Sequence, residues 1–161
     1  MSDNARIRYE IDLSAPRMKV EGSGSETRPL GPTDRDAVAR LMLDAYIGTI
    51  DYEGETIAEA LDEVDSWLKG SPLLEHSYGA VVDGRLVSAV LAMTLDEAPF
   101  IRSVMTDPGH KASGLGRVVT AASLKSMESA GYQRVVFYIT EGNTPSERLF
   151  SSLGAHPITD P

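Results

Sequence analysis

The chain has 161 residues, 42% apolar and 24% charged, with a formal net charge of −9; this size suits one domain with a core hiding about two thirds of the unfolded surface. It has no cysteine, which excludes disulfides, thiolate metal sites and a cysteine nucleophile, and His76, His110 and His156 are not spaced as zinc ligands. Residues 1–100 hold 19 Asp/Glu against 9 Lys/Arg, so there is no basic footprint for nucleic acid; the longest apolar run, Ala89–Leu95, is too short for a membrane span, and with no apolar leader near Met1 the expectation is a cytoplasmic protein.

In chain order, Ile7, Tyr9, Ile11 and Leu13 alternate with Arg8, Glu10 and Asp12, the period-two pattern of a strand. Ser14–Arg17 reads as a turn into a second short strand, Met18–Gly22. Gly22–Ser25 then separates an N-terminal β extension, residues 1–24, from the main domain, residues 25–161. The stretch from Thr27 leads a strand into a helix, with Thr33 as its N-cap and Asp36 three residues on. Val38, Leu41, Met42, Ala45 and Tyr46 stripe that helix; Ile57, Ala60, Leu61, Val64 and Leu68 stripe the next, which stops at Gly70. Asp83-Gly84 turns a hairpin between Tyr78–Val82 and Leu86–Leu95. A strand over Ala98–Thr106, a helix ending at Gly131, a strand over Arg134–Thr140 and a short helix with Pro145 near its start complete the order. One mixed sheet flanked by helices follows.

Between the Ala98–Thr106 strand and its helix lies Asp107–Val119, a loop carrying Gly114-Leu115-Gly116. A helix N-terminus offers free backbone N–H groups with about half a positive charge, and glycines allow an anion to approach the backbone closely. Lys111 and Arg117 bracket the loop and add charge. A Walker loop would need Gly-Lys-Ser/Thr where Gly116-Arg117-Val118 stands, and a dinucleotide fingerprint would need a third glycine at Val119.

This order with this loop resembles the GCN5-related N-acetyltransferase superfamily over roughly Ser25–Ala155. The family's Arg/Gln-x-x-Gly-x-Gly/Ala loop corresponds to Lys111-Ala112-Ser113-Gly114-Leu115-Gly116, with Lys111 in the Arg/Gln place. Its second landmark, an Asn followed seven residues later by Tyr and then Leu-Gly-Phe, corresponds to Asn143, Phe150 and Leu153-Gly154-Ala155. The resemblance implies an α/β fold with a mostly antiparallel sheet, here with an N-terminal strand or hairpin added. It implies acetyl-CoA as cosubstrate and no metal. It puts the diphosphate on Lys111–Arg117 and the pantetheine arm on the backbone of Val104, Met105 and Thr106, with Asn143 and Phe150 alongside.

The implied reaction is direct attack of a primary amine on the thioester within a ternary complex. An amine attacks only when neutral; for a lysine-like amine, deprotonation at pH 7 costs about 4.6 kcal/mol, for an α-amine about 1 kcal/mol. The family often supplies a glutamate on the strand before the loop or five residues ahead of the Asn. The first place holds no acid and the second is Tyr138, which stands as a candidate catalytic residue in the glutamate's place. Candidates elsewhere are Asp96, Glu97, Glu141 beside Asn143, and the acidic stretch Asp51-Tyr52-Glu53-Gly54-Glu55, where Glu53 is a candidate base and Asp51, Tyr52 and Glu55 a wall for a small cationic acceptor. Glu55 or Thr56 also reads simply as the start of a helix. His110 accompanies the loop, and His76 and His156 are expected at the surface. The family's acid Tyr is Phe150, so leaving-thiolate protonation, worth about 2 kcal/mol at pH 7, falls to water. The missing base and acid keep two alternatives open: a catalytically impaired CoA-binding module and an acidic protein-interaction subunit. Only His156–Pro161 follows the last helix, where the family commonly adds two strands. The N-terminal strand is expected to fill that vacant edge, within the chain or across a homodimer.

Overall fold

The computed structural model describes residues 5–17, 20, 26–49 and 52–158, the side chain of Ala112 excepted. Strands β1 (Arg6–Asp12), β2 (Glu26–Pro29), β3 (Tyr78–Val82), β4 (Arg85–Leu95), β5 (Ala98–Thr106), β6 (Arg134–Thr140) and β7 (His156–Pro157) form one sheet in the order β2-β3-β4-β5-β6-β1-β7. Every pairing is antiparallel except β5 with β6. Helices α1 (Arg35–Tyr46) and α2 (Ile57–Lys69) lie in one layer, α3 (Leu115–Ser129) and α4 (Thr144–Ser152) in another.

Strand alternation sorts the core into these two layers. Ala89 and Leu91 of β4 and Met105 of β5 pack with Val38, Leu41 and Trp67 of the first helix pair. Their neighbours Val90 and Ala92, with Phe137 and Ile139 of β6, pack with Val119, Leu124 and Met127 of α3. The alternating N-terminal stretch is an integral strand: β1 pairs with β6 from Arg6↔Thr140 to Asp12↔Arg134, and Ile11 and Leu13 are fully buried in the α3-side core. The vacant edge is thus filled within the chain, with β7 pairing outside β1 at Tyr9↔Pro157 and Glu10↔His156. Of the expected second strand, only Val20 lies among the described residues, and it is not in a strand.

Two local expectations are corrected. Thr33 is not the N-cap of α1: Pro32–Asp34 forms a 3-10 turn, and Asp34 precedes the helix. The Asp34 carboxylate accepts from the Gly31 N–H at 2.9 Å and from Arg28 at 2.8 and 2.9 Å, and the Arg28 bond holds it below the usual carboxylate range. His76 is buried, not at the surface; its Nδ1 meets Ser126 Oγ at 2.6 Å, and its carbonyl accepts from Ser123 Oγ at 2.6 Å. These contacts fasten the Leu74–His76 3-10 turn to α3. Thr56 caps α2, its hydroxyl accepting from the Glu59 N–H while the Glu59 carboxylate accepts from the Thr56 N–H.

Candidate active site

Two constructions meet at the C-terminal ends of β5 and β6. The first is the loop before α3. Its entry is fixed by Asp107, whose carboxylate accepts from the Gly109 N–H and from His110 Nδ1 at 3.1 Å each and lies 3.1 Å from Arg85. The His110 bond foremost holds this carboxyl below its ordinary range. Residues Pro108–Ser113 form a 3-10 turn, closed by a Ser113 Oγ–His110 carbonyl bond, and Gly114 then takes a left-handed conformation (φ +78°) as the N-cap of α3. Right-handed turn followed by left-handed glycine turns successive N–H groups to one side, a nest suited to an anion. No side chain caps α3, and a Cβ on Gly114 would meet nothing within 4 Å, so the helix N-terminus is open to a ligand. Gly116 is different: its Cβ would sit 3.1 Å from both Leu149 Cδ1 and Thr106 Oγ1, so any larger residue would push on the packing of α3 against β5 and α4.

The second construction is a divergence of strands. Among the described residues β5 and β6 share one register pair, Phe100↔Val136; past it, Ile101–Val104 and Phe137–Thr140 make no ladder pair with each other. A register shift against β4 between Leu91↔Ser103 and Ala92↔Ile101 leaves Arg102 as an extra residue and bends β5 at that point. Opposite the gap stand α1 and α2. The result is a cleft of about 1110 Å³ floored by β5 and β6, from Ile101–Val104 to Phe137–Thr140, and walled by α1, α2 and the segment between them.

The cleft brings together Val104, Asn143, Phe150, Tyr138, Glu53 and Glu55 of the expected site residues. Asn143 caps α4, its Oδ1 accepting from the Ser146 N–H at 3.3 Å. Phe150 is buried and stacks on Phe137 with ring centroids 4.1 Å apart. Glu55 accepts from the Glu53 N–H at 2.9 Å, and the Tyr52 hydroxyl lies 3.5 Å from the Glu55 carbonyl; Tyr52 does not line the cleft. Met105 is buried in the α1–α2 layer, and Thr106 Oγ1 meets Ser88 Oγ at 2.9 Å. Leu115 is buried at the start of α3. The two expected loop cations have protein partners: Lys111 donates to the Ala45 carbonyl at the end of α1 at 3.2 Å, and Arg117 Nε donates to Ser152 Oγ at 3.0 Å. Glu141 does not line the cleft; its N–H donates to the Ala5 carbonyl at 2.7 Å. Asp96 and Glu97 form the β4–β5 turn with φ of +52° and +65°, outside the cleft. Asp51 lies outside the described residues.

Several lining residues escape the sequence reading. Glu59, Asp62, Glu63 and Ser66 form one face of α2 toward the cleft, at the i, i+3, i+4, i+7 spacing that signals such a face. Arg102 enters from the bend in β5 and donates to Glu63 at 2.7 Å. Arg6 enters from β1 with its guanidinium 5.6 Å over the Tyr138 ring. Among the described residues no helix is long and apolar enough to cross a membrane, and no cluster of three or more His, Asp or Glu is set to hold a metal.

Sheet order, strand divergence and the glycine loop at α3 define a GCN5-related N-acetyltransferase fold. Residues 77–160, just over half the chain, match the model of the FR47-like protein family, and the chain belongs to that family within the superfamily. It is 29% identical over 140 residues to a mycothiol acetyltransferase from Beutenbergia cavernae, an alignment covering 84% of this chain and 46% of that protein. Among solved structures, a GCN5-related N-acetyltransferase from Sphaerobacter thermophilus superposes with a TM-score of 0.75 at 20% identity, covering 95% of this chain and 48% of that one. A PaiA N-acetyltransferase from Thermoplasma acidophilum, solved in complex with coenzyme A, gives a TM-score of 0.62 at 16% identity, over 80% of this chain and 87% of that one. The chain spans less than half the length of the curated relatives it matches.

Proposed function

We propose that the protein transfers an acetyl group from acetyl-CoA to a primary amine bound in the cleft, both held at once. The observation that carries this reading is that β5 and β6 share one register pair, Phe100↔Val136, while Ile101–Val104 and Phe137–Thr140 line a walled cleft whose β5 floor ends two residues before the loop that leads to α3. The residues fit the cosubstrate: an uncapped helix N-terminus preceded by a left-handed glycine suits a diphosphate, and separated strand edges leave peptide groups for an amide-bearing arm. Acetyl-CoA supplies the activated acetyl thioester.

In this reading the N–H groups at Gly114–Arg117 bind the diphosphate. Main-chain groups of Val104–Thr106 orient the arm, and one N–H there donates to the thioester carbonyl, where exclusion of water makes the donor most effective. Phe150 and Asn143 border the arm. Glu53 takes the proton from the incoming ammonium, directly or through one water, and Glu55, Asp62 and Glu63 make its side of the cleft favourable to a cation. Arg102 offsets part of that charge by pairing with Glu63.

The test is thiol release from acetyl-CoA with a panel of amines across pH. Wild type should reach a plateau near neutrality. Glu53→Gln should lower kcat/KM at pH 7 by about 10²-fold and by much less at pH 9, where more of the amine is already neutral. A rate that climbs through pH 8–9 alike in both proteins would remove Glu53 from the mechanism, and no turnover with any amine would favour a CoA-binding module. A second reading takes the acceptor from the name of the curated relatives, supported by the 29% identity across 84% of the chain. Turnover of the desacetyl form of mycothiol well above that of the rest of the panel would establish it.

A further inference from the structure

Four arginines reach the cleft and the smaller pocket beside it, of about 150 Å³, which share Leu95, Phe100 and Tyr138. Two are neutralised: Arg102 by Glu63 at 2.7 Å and Arg134 by Glu10 at 3.4 Å. The other two, Arg6 and Arg8, have no carboxylate within 4.0 Å among the described residues. Arg6 lines the large cleft, its guanidinium over the Tyr138 ring, a stack that leaves the N–H groups on its rim to donate elsewhere. Arg8 lines the small pocket, which Asp96 also lines without pairing with it, and among the described residues its Nε is buried without a hydrogen-bond partner. Buried donors are almost always paired, so an orphan in a concave site asks for an acceptor. Two residues apart on β1, Arg6 and Arg8 share one face about 7 Å apart and stand opposite Thr140 and Tyr138 of β6. Two adjacent cations repel, and an anion bound between them removes that repulsion.

Across the cleft the charge is reversed, with Glu53, Glu55 and Asp62 on the helical wall. A simple diamine would match that wall and send its second cation toward the arginines. We propose that Arg6 and Arg8 form the anion-binding end of the acceptor site, so that the acceptor is an amine that also carries a carboxylate. This rests on the acetyl-transfer reading and narrows its substrate class. The arginines determine specificity rather than chemistry: a planar carboxylate takes paired N–H donors from one guanidinium, and the amine is left facing the acidic wall.

The test avoids turnover. The full chain, with and without CoA, is titrated with N-acetylalanine, N-acetyl-4-aminobutyrate and their primary amides, read by NMR shifts. At least one acid should bind about tenfold tighter than its amide. In Arg6→Gln/Arg8→Gln that preference should fall to within twofold while amide binding is unchanged, and Arg6→Lys/Arg8→Lys should restore part of it. Acids and amides binding wild type alike, or a preference that survives the double Gln variant, would overturn the proposal. If the double variant does not melt cooperatively, the wild-type preference should shrink with added salt, and a salt-indifferent preference overturns it equally. Failure to bind CoA would instead count against acetyl transfer, and the acid–amide comparison without CoA still reads the arginine pair.

Discussion

The two ends of the site are built in opposite ways. The α3 end is made of consecutive residues, Asp107 to Arg117, and what it presents is main chain: a 3-10 turn, a left-handed glycine and the first N–H groups of a helix. The cleft end, the proposed acceptor site, is made of side chains from α2, β5, β6 and β1, brought together across more than a hundred positions of sequence. A local backbone device tolerates change in its side chains, and Lys111 and Arg117 are accordingly occupied with Ala45 and Ser152. An assembled side-chain device depends on every strand that feeds it.

That difference can be broken most severely at β1. Deleting residues 5–13 removes Ile11 and Leu13, each fully buried and each worth about 1.5–3 kcal/mol, along with the ladder to β6. The deletion should abolish cooperative thermal unfolding or lower the melting temperature by more than about 10 °C; an unchanged melting curve would show that β1 is an accessory. Next is Gly116→Val, where the new side chain meets Leu149 and Thr106 at 3.1 Å. It should cost about 1–3 kcal/mol in denaturant unfolding. A variant as stable as wild type would mean that this glycine serves only the ligand. The smallest effect is expected where the two ends meet. Phe150 is buried against Phe137 yet borders the cleft, so Phe150→Tyr adds a hydroxyl at the edge of the cleft. Turnover should stay within about twofold or rise, because in the proposed reaction a thiolate that leaves unprotonated costs only about 2 kcal/mol at pH 7. A large loss of steady-state rate would show that the site has no room for the hydroxyl.

Legibility in the sequence follows the same division. Period and turn chemistry mark β5, β6 and the Asp83-Gly84 hairpin, because each depends on near neighbours. The α3 loop is legible for the same reason. What the sequence hides is partnership. Glu59 reads as one more solvated acid, yet it completes the capping box with Thr56 at the start of α2 and lines the cleft. His76 sits among polar residues in sequence and is buried only because Ser123 and Ser126, about fifty positions on, receive it. Thr33 fits a capping pattern, but it falls within a 3-10 turn, and the Asp34 carboxylate before α1 is taken up by Arg28 of the preceding strand and by the Gly31 N–H. Arg6 and Arg8 look like the solvent side of an alternating strand; only the pairing of β1 with β6 turns them toward Tyr138.

The central claim is that main-chain amides at the start of α3 hold a CoA diphosphate. Calorimetric titration of wild type and Gly114→Val with CoA and with pantetheine, which lacks the diphosphate, tests it directly. Gly114 has open space at its Cβ but a left-handed backbone, so valine should disturb the nest more than the core. CoA should bind wild type at least about a hundredfold tighter than pantetheine, and the variant should lose about tenfold or more for CoA alone. No CoA binding, or CoA binding indifferent to the valine, would contradict the account.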